Sequence, residues 1–295
     1  MAPKVPRAVR RLVVPRVDDL VIRRYRTLAS RRVRSEALDE ATLRGATRIA
    51  ARAVEDGRPA DGADTALAKA FRTLAEGELW HGRPSPAVRR AVVEQFHRLY
   101  YHSPRQTWKN TRFQGVTVWK NPMDLWLYQE MLHEYRPDVV IEAGTKYGGS
   151  AYYFARLFDL MGHGRVITID TKPQPNRPEH PRITYLTGSS TDPAIAETVD
   201  GLVGDGKPLI VLDSHHARDH VLAELRLWSP RVPLGWYIVV EDSHAGGHPV
   251  STRVARGPWP AITRFLKEND AFESDESMHK FFLTFNPRGY LKRVR

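Results

Sequence analysis

The chain contains no cysteine. Disulfides, zinc–thiolate sites, iron–sulfur clusters and cysteine nucleophiles are therefore excluded. Long apolar runs are also missing. None approaches the roughly 18 residues that a membrane-spanning helix needs. The N-terminus is basic but carries no extended apolar core and no clear cleavage signal, so no secretory leader is expected. The G-x-G-x-x-G fingerprint of dinucleotide sites is absent, as is the Lys-Ser/Thr end of a P-loop. No 2-His-1-carboxylate iron triad is apparent. No internal repeat is visible. These absences fit a cytoplasmic protein.

What is present begins with charge. The chain has 295 residues and a formal net charge of +11. Residues 1–110 hold 23 Lys/Arg against 12 Asp/Glu, an excess equal to that of the whole chain. The rest is balanced, with 22 of each. Basicity therefore belongs to an N-terminal region that includes Arg23-Arg24-Tyr25-Arg26 and Arg31-Arg32-Val33-Arg34. This placement argues against a nucleic-acid partner at any site further along. It leaves a basic arm that suits peripheral contact with an anionic membrane, or else a solvated extension.

Two regions follow from composition. Residues 1–100 read as a basic, mainly helical N-terminal extension, with helices over 36–56, 64–77 and 86–101 between Gly/Pro loops. Residues 101–295 read as an α/β domain. An aromatic-rich stretch holds Trp108, Phe113, Trp119, Trp126 and Tyr128, and a helix over 123–135 starts at Asn121-Pro122. Strands are expected at 139–143, 165–170, 183–187, 209–212 and 237–240. Helices fall at 149–161, 217–228 and about 259–269. A hairpin of Phe281–Phe285 and Tyr290–Val294 closes the chain. Strand–helix alternation implies a Rossmann-like, mostly parallel, doubly wound sheet, and the C-terminal antiparallel hairpin suggests its methyltransferase variant.

Two of these strands stop on acid. Leu209-Ile-Val-Leu runs into Asp213-Ser214-His215-His216, and Tyr237-Ile-Val-Val runs into Glu241-Asp242-Ser243-His244. Carboxyl ends of buried parallel strands line the crevice where open α/β sheets bind ligands. Asp213, Glu241 and Asp242 are thus candidate ligands for one Mg²⁺, a cation that favours oxygen donors. Histidine beside them suits proton transfer near neutral pH. The competing reading is that Asp213 and Asp242 merely cap the next helix. His244, His248 and His279 read as loop or surface residues.

A second signal follows the first strand. Glu142-Ala-Gly144-Thr145-Lys-Tyr-Gly148-Gly149-Ser150 opens a helix. Glycine permits a tight turn, and the helix N-terminus offers N–H groups to an anion. Asp170 ends the second strand, where an acid can bind ribose hydroxyls. The turn, the strand-end acid and the hairpin together favour S-adenosylmethionine, with NAD second.

The stretches Trp119-Lys120-Asn121-Pro122-Met-Asp124-Leu-Trp126-Leu-Tyr128-Gln129-Glu130, Glu142-Ala-Gly144 to Ser150, Asp213-Ser-His215, Glu241-Asp242 and Phe285-Asn-Pro287-Arg-Gly289-Tyr-Leu291 resemble the cephalosporin hydroxylase family. That family is built on a methyltransferase fold and includes rhamnosyl O-methyltransferases of natural-product pathways. The resemblance covers roughly residues 100–295. It implies a Mg²⁺- and S-adenosylmethionine-dependent O-methyltransferase, with Asp213, Glu241 and Asp242 on the metal. His216, three residues after the first acid, is implied as the base, with His215 as the neighbour to be told from it. Glu142, Gly144, Thr145, Gly148 and Ser150 match the cofactor loop, Asp170 the ribose acid, and Ser189 and Ser190 the adenine pocket. The implied acceptor is a glycoside or glycolipid, and a homo-oligomer is expected.

Two other classes stay open at this stage. One is an oxidoreductase, as the family name suggests. The other is a non-catalytic cofactor-binding protein. Acceptor choice is expected in loops 105–120 and 245–258, where the aromatics offer a sugar or apolar wall and Arg253 and Arg256 a lid.

Overall fold

A computed structural model of the chain describes residues 86–250 and 257–295. The basic arm, the helices expected over 36–56 and 64–77, and Arg253 and Arg256 lie outside the described residues. The unit that carries the site spans Leu99–Arg295. Its elements in chain order follow the end of helix α1 (Pro86–His102). They are β1 (Arg112–Phe113), β2 (Val116–Thr117), α2 (Pro122–Tyr135), β3 (Val139–Ala143), α3 (Gly149–Met161), β4 (Arg165–Asp170) and β5 (Ile183–Thr187). After these come α4 (Pro193–Val203), β6 (Pro208–Leu212), α5 (Arg218–Trp228), β7 (Tyr237–Val240), α6 (Pro258–Glu268), β8 (Phe272–Ser274) and β9 (Tyr290–Arg293).

The main sheet has the order β5-β4-β3-β6-β7-β9-β8. Strands β3 to β7 pair in parallel, and β9 pairs antiparallel with both β7 and β8. This is the expected doubly wound sheet with an antiparallel C-terminal pair. Side chains alternate across it, because successive Cβ atoms on a strand point to opposite faces. Val139, Ile141 and Ala143 join Val199 of α4, Leu225 of α5 and Phe265 of α6 on one face. Val140 joins Leu127 and Met131 of α2 and Phe154 and Phe158 of α3 on the other. Each large side chain buried this way contributes about 1.5–3 kcal/mol. The two helical layers fix β3, β6 and β7, so their carboxyl ends form a rigid rim.

The chain reverses winding between β3 and β6, and ligands in such sheets bind at that switch point. Two loops meet there. Asp213 N–H donates to Ala143 O at 2.8 Å, and Gly144 N–H to Ile169 O at 2.8 Å. Gly144 has φ +100°, and a Cβ there would lie 2.0 Å from Asp213 O. Only glycine fits that approach.

Three features differ from the sequence reading. Helix α4 was not expected, although Asp192 caps it through Ala194 N–H at 2.9 Å and Pro193 occupies its first turn. The β1–β2 hairpin was also not expected; its turn residues Gln114 and Gly115 both have positive φ, the geometry of a two-residue hairpin turn. The final hairpin pairs β9 with Phe272–Ser274, not with Phe281–Phe285. The backbone of 281–285 joins no ladder and is held by turn bonds and by side chains. Phe285 N–H donates to Asp124 Oδ2 at 2.8 Å, and Leu283 O accepts from Asn121 Nδ2 at 3.3 Å.

Candidate active site

Strand β6 delivers Asp213, and β7 delivers Glu241 and Asp242. Adjacent residues at a strand end diverge, and these two acids do so. Asp242 joins Asp213 and His216 in a cluster whose potential ligand atoms all lie within 4.8 Å of one another. His216 Nε2 is 3.4 Å from Asp242 Oδ2 and 3.8 Å from Asp213 Oδ1. His244 Nε2 approaches Asp242 Oδ1 at 3.4 Å. His244 is fully buried and stacks against Phe285, so it is part of the frame and not a surface loop residue. His215 is exposed and packs edge-on to His220.

Glu241 takes another path. It is buried, accepts a 2.6 Å hydrogen bond from Tyr128 Oη, and pairs through Oε2 with Lys120 Nζ at 2.6 Å. It therefore stands outside the cluster that Asp213, His216 and Asp242 form. Lys120 Nζ also lies 2.7 Å from Asp213 Oδ2. One buried ammonium thus bridges two strand-end acids. Carboxylates therefore outnumber the one ammonium group beside the cleft. That excess and the oxygen-rich donor set fit a divalent cation such as Mg²⁺. Asp213 and Asp242 are the residues placed to hold it, with His216 beside them.

Burial pushes Glu241 up to about 7, with Lys120 pulling it back. Burial likewise raises Asp213 against the pull of Lys120. Asp242 goes the other way. Burial opposes its charge, yet His216, His244 and Lys120 outweigh that and hold it well below the usual carboxylate range. The lysine between its two acids stays protonated, since burial is outweighed by Asp213 and Glu241.

The backbone at Asp242 is left-handed, with φ 53°. Such a conformation in a non-glycine residue persists only when its surroundings enforce it. Asn286 Oδ1 accepts from Asp242 N–H at 3.1 Å, and Asn286 is fully buried. Gly289 lets the same turn press on β7, where a Cβ would meet Val240 O at 2.1 Å. The motif around Asn121 is scaffold for this corner. Asn121 caps α2, and Asp124 accepts from Phe285 N–H and, at 3.0 Å, from Tyr290 Oη. Burial pushes Asp124 up to about 6 despite its donors Thr284, Phe285 and Tyr290. Lys120 and Asn286 carry no role in the sequence, and Asp124 and Tyr128 read there only as part of a helix start and of an aromatic stretch; all four hold the acids or the turn of this corner.

The cluster opens into a cleft of about 450 Å³ lined by Trp108, Trp119, Gly144, Asp170, Ser190 and Ser214, among others. Of the residues expected at a cofactor, Gly144, Asp170 and Ser190 line this cleft. Thr145 and Ser150 line a smaller adjoining hollow with Lys120 and Asp213. Gly148 caps α3 with a left-handed φ of 75°. Glu142 lies beneath the loop and is fully buried. Its Oε2 accepts from Thr168 Oγ1 at 2.7 Å, while Oε1 has no hydrogen-bond partner among the described residues. An orphaned carboxylate oxygen at this position fits a ligand with an ammonium group. Burial pushes this carboxyl up, against Lys120.

Asp170 is already organised by the protein. Its Oδ2 accepts from Lys146 N–H at 2.9 Å and Arg177 Nη2 at 3.0 Å. Ser189 Oγ is engaged by Thr191 and does not line the cleft. Ser190 Oγ and Ser214 Oγ both donate to buried Glu224 Oε1, at 2.5 and 2.6 Å. His220 is hydrogen-bonded to Ser214 Oγ at 2.9 Å, and the Glu224 carboxylate raises its pKa.

The model of the rhamnosyl O-methyltransferase/CmcI family matches residues 105–294. The rhamnosyl O-methyltransferase of Mycobacterium tuberculosis (strain ATCC 25618 / H37Rv) is 41% identical over 219 residues, covering 72% of this chain and 87% of the relative. That of Mycobacterium leprae is 37% identical over 210 residues, covering 69% and 91%. A solved CmcI structure with Mg and SAM shares the fold at a TM-score of 0.50 and 21% identity, covering 63% of this chain and 78% of that one.

Proposed function

The chain belongs to the rhamnosyl O-methyltransferase/CmcI family, and from that premise we propose a Mg²⁺- and S-adenosylmethionine-dependent O-methyltransferase acting on a sugar hydroxyl. The observation that carries the reading is the Asp213–His216–Asp242 cluster in the same cleft as the Gly144 turn. Its mycobacterial relatives are named as rhamnosyl O-methyltransferases, which supports a rhamnosyl acceptor on a glycolipid or natural product. A metal held by the two carboxylates, with the single imidazole of the cluster left free as a base, differs from the 2-His-1-carboxylate triad of non-haem iron oxygenases. That ranks the oxidoreductase alternative second.

When bound, Mg²⁺ supplies Lewis acidity toward an acceptor hydroxyl and S-adenosylmethionine supplies the methyl group. Asp213 and Asp242 would hold the metal, and Glu241 supports them through Lys120. His216 Nε2 takes the hydroxyl proton as general base, a role worth about 10²–10⁴-fold in rate. Asp242, 3.4 Å from that nitrogen, stabilises the imidazolium that results. Glu142, whose Oε1 is unpartnered beneath the loop, would pair with the cofactor's amino group, and the Gly144 turn, Asp170 and the Ser190 wall would orient the rest of it. Ordering these groups before reaction supplies much of the remaining barrier reduction.

We assign the catalytic domain to residues 101–295 and the accessory role to 1–100. We further propose a cytoplasmic homo-oligomer whose basic arm contacts anionic membrane. Among the described residues, no helix is long and apolar enough to cross a membrane. Binding of the full chain to anionic vesicles should fall with salt and be lost on deleting residues 1–35.

Isothermal titration with S-adenosylmethionine, S-adenosylhomocysteine and NAD⁺, with and without Mg²⁺, tests the cofactor class. The proposal requires binding of both adenosyl ligands and none of NAD⁺. Binding of NAD⁺ alone, or of nothing, overturns it.

A further inference from the structure

Trp119 is the residue that the cleft leaves open without an evident reason. It lies between Val118 and Lys120, which are 2% and 3% exposed, and is itself 37% exposed. Lys120 turns inward to Asp213, and Trp119 turns out into the cleft that Asp213, His216 and Asp242 share. An indole ordinarily buries most of its large apolar surface.

The ring is held in place. Trp108 meets it edge-on, with centroids 6.1 Å apart at 85°, and Tyr147 meets it at 5.1 Å and 80°. Trp108 is in turn fixed by stacking on Tyr101 at 5.5 Å and 14°, with Nε1 donating to Tyr101 O at 3.0 Å. Tyr101 meets His244 at 5.0 Å, and His244 reaches Asp242. A continuous aromatic wall therefore runs from a metal-site carboxylate to the mouth of the cleft. Much of the remaining lining is polar: Ser190, Ser214, His215, His216 and His220. The Lys109 and Lys146 ammonium groups lie 5.4 Å from the Trp119 centroid. Both lysines are exposed, and such contacts are worth only about 0.5–1 kcal/mol, so a ligand can displace them.

We propose that Trp119, backed by Trp108, is the acceptor platform, stacking on the apolar C–H face of a pyranose whose hydroxyls reach Asp213, His216 and Asp242. This rests on the sugar O-methyltransferase reading and adds the subsite that chooses the acceptor. An aromatic wall with a few convergent polar groups is the usual way a pocket fixes a small ligand's orientation. A pyranose offers both surfaces. The 6-deoxy ring of a rhamnoside adds a methyl group to its apolar side.

The test compares wild type, Trp119→Leu and Trp119→Phe, each saturated with Mg²⁺. The probe is 4-nitrophenyl α-L-rhamnopyranoside. Its binding is followed by saturation-transfer NMR with S-adenosylhomocysteine present, and its methylation with S-adenosylmethionine. The platform predicts saturation strongest on the protons of one ring face. It predicts that Trp119→Leu raises KM about tenfold or more, with kcat within about threefold, and that Trp119→Phe recovers most of the loss. S-adenosylhomocysteine affinity should stay within about threefold in both variants, which also reports that they fold. An unchanged KM in Trp119→Leu overturns the platform and leaves the methyltransferase reading intact. So does a wild type that binds S-adenosylhomocysteine but not the rhamnoside. A wild type that binds no adenosyl ligand overturns the reading beneath.

Discussion

Replacing Lys120 with Met isolates the charge balance of the site. The ammonium lies 2.7 Å from Asp213 Oδ2 and 2.6 Å from Glu241 Oε2, and its side chain is 3% exposed. Met preserves length and apolar stem but leaves buried Glu241 and half-buried Asp213 without their cation. Removing one partner of a buried ion pair costs about 3–5 kcal/mol. For a unit of this size each kcal/mol shifts Tm by about 2–4 °C, so Tm should fall by roughly 6–20 °C. The loss depends on pH in a fixed direction. In the wild type burial already raises Glu241 to about 7. Without Lys120 both carboxyls rise further, so the folded variant holds more protons than its unfolded chain above about pH 4.5. Its deficit against wild type should therefore widen as pH rises from 5 to 8 and narrow on acidification. Mg²⁺ bound only by the folded state adds stability, about 2.7 kcal/mol at a hundred times Kd. It should recover more Tm in the variant than in wild type, because it replaces a missing charge. Circular-dichroism melts across that pH range, with and without Mg²⁺, measure all three effects. A variant within about 2 °C of wild type at pH 7.5, or a deficit that widens toward acid, refutes the counterion role.

Other predictions concern the frame and the base. His216→Ala should lower kcat by about 10²–10⁴ while S-adenosylhomocysteine affinity in calorimetry stays unchanged; unchanged turnover removes His216 from the mechanism. Asn286→Ala removes the acceptor that holds Asp242 in its left-handed backbone. Mg²⁺ affinity by titration calorimetry should weaken about 10–100-fold, the usual effect of losing a residue that orients a metal ligand; an unchanged affinity would show that the turn orients nothing. Burial raises Asp124 to about 6, so it titrates above its unfolded value and its contribution to stability falls as pH rises from about 4 to 6. Asp124→Asn should abolish that component of the pH–stability curve, as measured by difference in urea midpoints, and cost about 1–3 kcal/mol by placing an amide where three donors converge. A curve of unchanged shape would place the titration elsewhere. Gly144→Ala should abolish S-adenosylhomocysteine binding, since its Cβ would strike Asp213 O.

The parts of the site that lie on strand ends were legible in the sequence. Leu209–Leu212 and Tyr237–Val240 announce buried strands, and the acids after them follow from where those strands stop. The family resemblance implied His216 with His215 as its rival, and the structure brings His216 to both acids while His215, in the same cleft, packs on His220. Strand alternation sends Glu241 toward Lys120 and Asp242 toward His216, a divergence that adjacent strand-end residues already imply in the sequence. The helix after Asp192-Pro193 also had its cap in view. Phe281–Phe285 misleads because its short apolar, aromatic run imitates a buried strand while its backbone is bonded by Asn121 and Asp124, more than 160 residues away. Lys120 was illegible for a similar reason. Its partner Asp213 is 93 residues distant, and a single lysine beside a tryptophan carries no local mark of burial.

The most direct test of the account is methyl transfer itself. The full chain is incubated with deuteromethyl-labelled S-adenosylmethionine and a rhamnoside, with Mg²⁺ or with EDTA, and the product is read by mass spectrometry. The account predicts one labelled methyl on a sugar oxygen in the presence of Mg²⁺, and its loss with EDTA and in Asp213→Asn. Full transfer in EDTA would contradict the metal role of Asp213 and Asp242. No transfer to any rhamnoside, by a protein that binds S-adenosylmethionine, would contradict the sugar acceptor.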